Sequence, residues 1–312
     1  MRKNNLIATT MTLAFAMLAG LLVSIPASAQ NDSTDMIKQL GEDKPQKEWV
    51  TGAFKSSRVI NGHSMEFIGK NVLDVRILHR FGLINEGWQN FWGLDEASMR
   101  LGFDYGITKN LTVGIGRSTE KKELDGFLKF RPVRQANGAG GSPVSLVWVS
   151  GMTLATLKWA DEERENYFSS RLGYYHELII GRKFSEAFSL QLSPLFVHRN
   201  LVDSAATSND TWALGIGSRF KISKRVALVL DYHPILAGRQ PGTKDPISIG
   251  FDIETGGHVF QLHFSNATGM NEKEFITNTV NDFWKGEIRF GFNLSRVFSI
   301  GKPVNYREDK KD

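Results

Sequence analysis

From Leu73 to Leu294 apolar residues return at every second position, and this period of two limits the fold more than any other feature of the chain. Met99, Leu101, Phe103, Tyr105 and Ile107 alternate with Ser98, Arg100, Gly102, Asp104 and Gly106. Trp212, Leu214, Ile216 and Phe220 alternate with Ala213, Gly215, Gly217 and Arg219, and Ile288, Phe290, Phe292 and Leu294 with Glu287, Arg289, Gly291 and Asn293. Each run reads as a strand with one greasy face and one face of charge or glycine. Twelve such segments are predicted, at about 73–81, 97–107, 111–118, 123–131, 144–152, 168–182, 188–199, 210–221, 226–235, 246–254, 258–266 and 286–295.

Alternation alone would also suit a soluble sandwich, whose greasy face points into a core. Segment length argues for a membrane: strands of about ten residues match a tilted bilayer crossing, whereas soluble strands average about five or six. Aromatics gather at segment ends, as at Trp88, Phe91, Trp92, Phe168, Tyr174, Phe283 and Trp284, where interfacial girdles are expected. Beyond the first residues no apolar run reaches 18, so only a closed barrel would satisfy every backbone group in lipid.

The connections carry a second regularity. Ile107-Thr108-Lys109-Asn110-Leu111-Thr112-Val113, Phe184-Ser185-Glu186-Ala187-Phe188-Ser189-Leu190 and Ile222-Ser223-Lys224-Arg225-Val226-Ala227-Leu228 share one pattern: apolar, Ser or Thr, two mostly polar residues, apolar, small, apolar. It predicts a tight hairpin whose hydroxyl bonds its own turn backbone. These turns and Thr255-Gly256-Gly257 all fall on one side of the sheet, and the connections 82–96, 153–167, 200–209, 236–245 and 267–285 on the other are mostly longer. That parity is how an up-and-down antiparallel barrel with an even strand number is built, with both termini periplasmic. The Gly-rich connection 132–143 dissents, being long on the short-turn side.

The N-terminus predicts export. Arg2 and Lys3 precede an apolar stretch from Leu6 to Val23, and Ala27-Ser28-Ala29 offers a cleavage site after Ala29. Loss of Arg2 and Lys3 would take the formal charge from +5 to +3, spread among acidic residues along the chain, which speaks against nucleic acid as a partner. With no cysteine there is neither a lipid-anchored N-terminus nor a disulfide framework. Residues 30–70 read as a periplasmic leader. Within it Val50, Phe54, Val59 and Ile60 are spaced among Thr, Ser and Gly, so 49–68 could also order at the barrel mouth or enter the lumen as a plug. The barrel is expected over 71–300 and a polar tail over 301–312.

The sharpest chemical candidate is His263-Phe264-Ser265-Asn266, since histidine and serine two apart on a strand share a face and an imidazole can activate a hydroxyl. The string resembles the His-x-Ser element of outer-membrane lipid deacylases and phospholipases. Direction argues against that chemistry: Phe260, Leu262 and Phe264 form the apolar face, which turns His263 and Ser265 toward the lumen and away from lipid. His63-Ser64 has no acidic residue beside it and reads as a turn. His79, His176, His198, His233 and His258 lack metal-ligand spacing, so neither a metal nor another cofactor is expected. Gly114-x-Gly116 and Gly138-x-Gly140-Gly141 precede no helix and read as relief of crowding rather than phosphate cradles.

The inward set is the better lead. Arg76, Arg80, Arg100, Asp104, Lys129, Arg131, Arg171, Glu177, Arg219, Asp231, Asp252, Glu254, Glu287 and Arg289 all fall on the non-lipid face in this register. Charges enclosed in a lumen need partners or water, so they form either a packed network closing the barrel or the lining of a narrow channel for small polar solutes.

His79-Arg80-Phe81-Gly82, Phe91-Trp92-Gly93-Leu94-Asp95, Leu101 to Thr108, Gly114 to Ser118, Asp125 to Phe130 and His258 to Leu262 together resemble a family of Bacteroidetes envelope β-barrels, domain of unknown function 5777. The resemblance covers roughly 50–300 and implies a barrel and an envelope location; it implies no activity, ligand or catalytic residue. The expectation is a non-enzymatic outer-membrane barrel in contact with outer-membrane lipid, either channel or structural and partner-binding component. A His263/Ser265 lipid hydrolase is the alternative, and a soluble ligand-binding barrel of the periplasm stands third.

Overall fold

The computed structural model describes residues 47–300 except 160, 161, 164, 205, 206, 256 and 257. The export segment, its cleavage site, the start of the leader, the 301–312 tail and the tip of the Thr255-Gly256-Gly257 turn lie outside the described residues.

Twelve antiparallel strands form one sheet: β1 (Val72–Leu83), β2 (Ala97–Thr108), β3 (Leu111–Ser118), β4 (Glu123–Val133), β5 (Ser145–Ala155), β6 (Leu172–Lys183), β7 (Phe188–Arg199), β8 (Asp210–Lys221), β9 (Val226–Tyr232, resuming at Ile235–Ala237), β10 (Ile247–Thr255), β11 (His258–Ser265) and β12 (Arg289–Ser299). Each pairs with the next in sequence, and β12 returns to β1 with Leu294 opposite Ile77 and Ser295 opposite Arg76. The sheet therefore has no free edge, and every backbone ladder finds its partner within it. Strand β9 is interrupted at His233-Pro234 because proline has no N–H to give the ladder. Two residues of β8 pair with the resumed segment, and the bulge between Trp212 and Ala213 absorbs the break.

The short turns form as their sequences require. Thr108 Oγ1 accepts from Asn110 N at 3.1 Å, Ser185 Oγ from Phe188 N at 3.1 Å, and Ser223 Oγ from Val226 N at 3.1 Å. These turns share one end of the barrel with the start of β1 and the end of β12, called here the terminal end. Most of the longer connections lie at the opposite, long-loop end, where only the β3–β4 link is brief; the β4–β5 link, 134–144, remains the long exception at the terminal end.

Outward positions are large and apolar: Ile115, Trp148, Met152, Trp212, Phe251 and Leu262 are all exposed. Inward positions are buried, and two segments account for that burial. Residues 53–65, ahead of β1, are buried almost throughout. In the β11–β12 connection the single-turn helix α1 (Glu272–Thr277) is buried too, capped by Asn271 Oδ1, which accepts from Glu274 N at 2.9 Å. A smaller unit comprises, among the described residues, 47–49 together with 135–143. In its described part Glu48–Trp49 pairs antiparallel with Ala136–Asn137, ahead of a turn through Gly138 and Gly141.

A closed twelve-stranded sheet resists detergent until heated. Refolded protein is expected to run at different positions on a gel before and after boiling, and identical mobility in repeated trials would contradict the fold.

Candidate functional site

The lumen is where charge, burial and irregular backbone meet. Residues 56–64 make a tight loop in which Val59 N donates to Gly62 O at 2.9 Å and Ser64 N to Ser57 O at 3.0 Å. An isolated loop this polar would exchange its bonds with water. Here inward side chains replace water: Gln261 donates to Val59 O at 2.7 Å, Asn293 to Ile60 O at 2.9 Å, Gln191 to His63 O at 2.7 Å, and Lys129 to Ser57 O at 3.1 Å and Glu66 O at 2.7 Å. At the loop tip Asp231 Oδ2 accepts from three successive amides, Ile60 at 3.2 Å, Asn61 at 2.7 Å and Gly62 at 3.1 Å. Buried backbone groups have to be paired, and the barrel wall supplies the partners.

One sector of the wall is apolar instead. Val147 and Val149 on β5, Tyr175 and Ile179 on β6, and Leu195 and Val197 on β7 point inward and form one cluster with Phe54, Val59, Ile60 and Met65 of the loop segment and Phe275 and Ile276 of α1. The expectation that inward positions carry only charge or glycine fails here. The apolar side chains of the two inserted segments would otherwise face a polar wall, and β5–β7 give them a surface on which to bury.

The inserted segments meet at an ion pair. Arg58 donates to Glu272 Oε1 at 2.7 Å and to Asn61 O at 2.6 Å, with both charged side chains about 1% exposed. His63 Nε2 lies 3.3 Å from the same carboxylate oxygen, so the histidine expected to lack an acidic neighbour has one 209 positions away in the chain. Burial, with Arg58 and Lys129 close by, holds His63 well below its ordinary pKa and therefore neutral. Burial is the largest single influence and works against the charge of Arg58, but Glu272, with smaller help from Tyr175 and Asp104, offsets it and leaves the guanidinium more basic than usual. The latch is thus the buried Arg58–Glu272 ion pair.

The inward residues predicted from the sequence fall into three groups. Arg76, Arg80, Arg100, Asp104, Lys129, Arg131, Glu177, Arg219, Asp231 and Asp252 are buried on the inner face. Arg76 pairs with Asp74 at 2.8 Å and approaches Asp104 at 3.2 Å, and Arg100 makes a two-pronged contact with Asp125. Arg80 donates to Asn61 Oδ1 at 2.8 Å, and Arg219 reaches Gly52 O and Ala53 O at 3.5 Å. Arg131 bonds the β2–β3 turn at Lys109 O. The long arm of Arg100 fits because Gly116 faces it: a Cβ there would lie 2.3 Å from a guanidinium nitrogen.

Glu254 and Arg289 sit nearer the two mouths. Glu254 is 43% exposed and pairs with Lys55, and Arg289 donates to Phe81 O at 3.2 Å beside Asn281. Arg171 and Glu287 depart from their predicted strand positions. Arg171 ends a 3-10 turn, Phe168–Arg171, before β6, and Glu287 precedes β12 and accepts from Asp282 N at 2.6 Å. Local turns with their own hydrogen bonds shorten both strands at the long-loop end.

His263 and Ser265 are buried on the inner wall, and they do not bond each other. Ser265 Oγ accepts from Ser248 Oγ at 2.8 Å and from Ala267 N at 3.0 Å, and Ser248 Oγ in turn accepts from Asn61 Nδ2 at 2.9 Å. Neither ring nitrogen of His263 has a hydrogen-bond partner among the described residues. The serine thus belongs to the chain of bonds that holds the loop tip. No group of acidic residues, histidines or cysteines among the described residues could hold a metal ion.

Alternation already turns Gln261 and Asn293 inward, but the inward set leaves out Asp125 and Gln191, whose parity is equally readable in their strands. Sequence reasoning also omitted the Arg58–Glu272 pairing, for which a single sequence carries no periodic signal.

A family model described as membrane bound beta barrel domain (DUF5777) matches residues 54–298. The chain belongs to this family. The match takes in the barrel and both inserted segments, and with it the outward apolar face becomes a lipid-facing surface. No curated protein matches the chain. Among solved structures, the NanC porin is similar at 9% identity, covering 74% of this chain and 100% of that one with a TM-score of 0.45. An outer membrane channel from Pseudomonas putida F1 is similar at 12% identity over 75% of this chain and 98% of the other, with a TM-score of 0.42. The toluene transporter TbuX from Ralstonia pickettii is similar at 11% identity over 77% and 96%, with a TM-score of 0.32.

Proposed function

We propose that this protein is an outer-membrane barrel whose lumen is closed at rest, serving as a structural and partner-binding component of the envelope rather than as a standing open pore. The observation that carries the reading is the Arg58–Glu272 pair, through which a segment ahead of β1 and a segment from the β11–β12 loop meet inside the barrel. The export signal and the turn parity of the sequence favour the outer membrane, with the terminal end facing the periplasm. In this reading residues 50–66 are a plug, and small polar solutes pass only when it leaves its bonds with β1, β4, β7, β8, β9, β10, β11 and β12.

Liposome swelling tests it. Vesicles carrying refolded protein are expected to swell in small sugars no faster than empty vesicles, and swelling at the rate of an open porin would overturn the closed-barrel reading. The hydrolase alternative has less support, because the Ser265 hydroxyl is engaged by Ser248 and by Ala267 N on the inner face. Any phospholipid hydrolysis by the preparation is expected to survive Ser265→Ala, and its loss in that variant alone would revive the alternative.

A further inference from the structure

A cavity of about 190 Å³ opens at the long-loop end between α1 and the ends of β5, β6 and β7. We propose that it is a binding site for a small organic anion, a carboxylate or phosphate head on a few carbons, which bridges α1 to the barrel wall. Four cations line it, Lys121, Arg171, Arg199 and Lys273, against two carboxylates, Glu123 and Glu274. Both carboxylates are already engaged: Lys273 pairs with Glu123 and lies 3.3 Å from Glu274, and Lys121 lies 3.6 Å from Glu274.

Neither arginine makes a salt bridge among the described residues, though Asp203 and Glu274 lie within electrostatic reach of Arg199. Arg171 donates to Ala155 O at 3.0 Å and to Leu157 O, with its guanidinium 4.0 Å over the Trp159 ring, and Arg199 donates to the neutral Gln240. The Arg199 Nε is buried with no hydrogen-bond partner among the described residues. Arg199 is opposite Gly173 in the ladder, two residues from Arg171, which ends the turn before β6, and both arginines line the same cavity. Two guanidinium forks lining one cavity suit an oxyanion.

The pocket is also built around its cations. Lys273 lies across Gly173, where a Cβ would come within 2.7 Å of its Cδ, so the lysine reaches Glu123 only because that position carries no side chain. Leu157, Leu172 and Leu201 supply an apolar part of the lining, enough to cover a short carbon chain. At roughly 30 Å³ per water the space corresponds to about six waters, the scale of an anionic head with a few carbons.

Calorimetric titration of the refolded full chain with acetate, hexanoate and inorganic phosphate tests this. Hexanoate is expected to bind more tightly than acetate, and Arg171→Gln and Arg199→Gln each to weaken it by about tenfold or more. Lys224→Gln removes a charge at the terminal end and is expected to leave affinity unchanged. Variants are scored only where the unboiled band still shifts, and Arg171→Lys, which keeps the charge, is expected to retain part of the affinity. Added anionic lipid that displaced hexanoate would identify the anion as a lipid head, and no displacement would identify it as a soluble one; both support the site. Equal affinity in wild type and both glutamine variants, or no heat with any of the three probes, overturns it. Swelling assays are not involved, so failure here leaves the closed-barrel reading untouched.

Discussion

Glu272→Ala is expected to release the inserted loop while the barrel itself stays folded. The substitution leaves the Arg58 guanidinium buried without its carboxylate, and breaking a buried pair from one side costs about 3–5 kcal/mol. That corresponds to a fall of roughly two to three and a half orders of magnitude in the ratio of docked to released plug. Hydrogen exchange of the 56–64 amides, followed by mass spectrometry, should accelerate accordingly, and vesicle swelling should appear. Arg58→Ala is expected to act similarly, since it strands Glu272. The double variant is expected to be milder than either single one, because no unpaired charge remains; a strictly additive double variant would show that the two residues do not act as a pair.

Asp231→Ala carries the second large effect. One carboxylate oxygen accepts from the amides of Ile60, Asn61 and Gly62, and its loss leaves three buried N–H groups at the loop tip. Each orphaned donor costs about 1–3 kcal/mol, and because the three share one acceptor the total falls short of additive, at about 3–5 kcal/mol. Asp231→Asn keeps an acceptor oxygen in place and is expected to cost clearly less. The check is the rate of exchange at 60–62 against that of the barrel strands. Loss of protection at the strands themselves would mean that Asp231 holds up the wall rather than the loop.

These effects arise where the sequence was least legible. Strand number, turn parity and the direction of Arg100, Asp104, Asp231 and Asp252 follow from alternation, because a period of two assigns each residue to a face before any contact is known. Pro234, which splits β9, falls inside the strand predicted over 226–235, although its missing N–H marks where the ladder breaks. Partners are another matter. Arg58 and Glu272 stand 214 positions apart in irregular segments, and nothing periodic links them. The inward valines of β5 depart from the expected face of charge or glycine, and their purpose is visible only with Phe54 and Phe275 seated against the same wall. Arg171 and Glu287 were assigned to strands because their parity fitted, whereas hydrogen bonds local to the adjoining turns end those strands sooner.

The central claim is that residues 53–65 fill the lumen, and solvent access to one of them tests it most directly. The chain has no cysteine, so Ala53→Cys introduces a single thiol at a position with no exposed surface, and Lys224→Cys introduces one at an exposed turn as a reference. In refolded protein, a membrane-impermeant maleimide is expected to label Lys224→Cys rapidly and to leave Ala53→Cys unmodified until Glu272→Ala is added. Rapid labelling of Ala53→Cys in the otherwise unaltered chain would contradict a filled lumen.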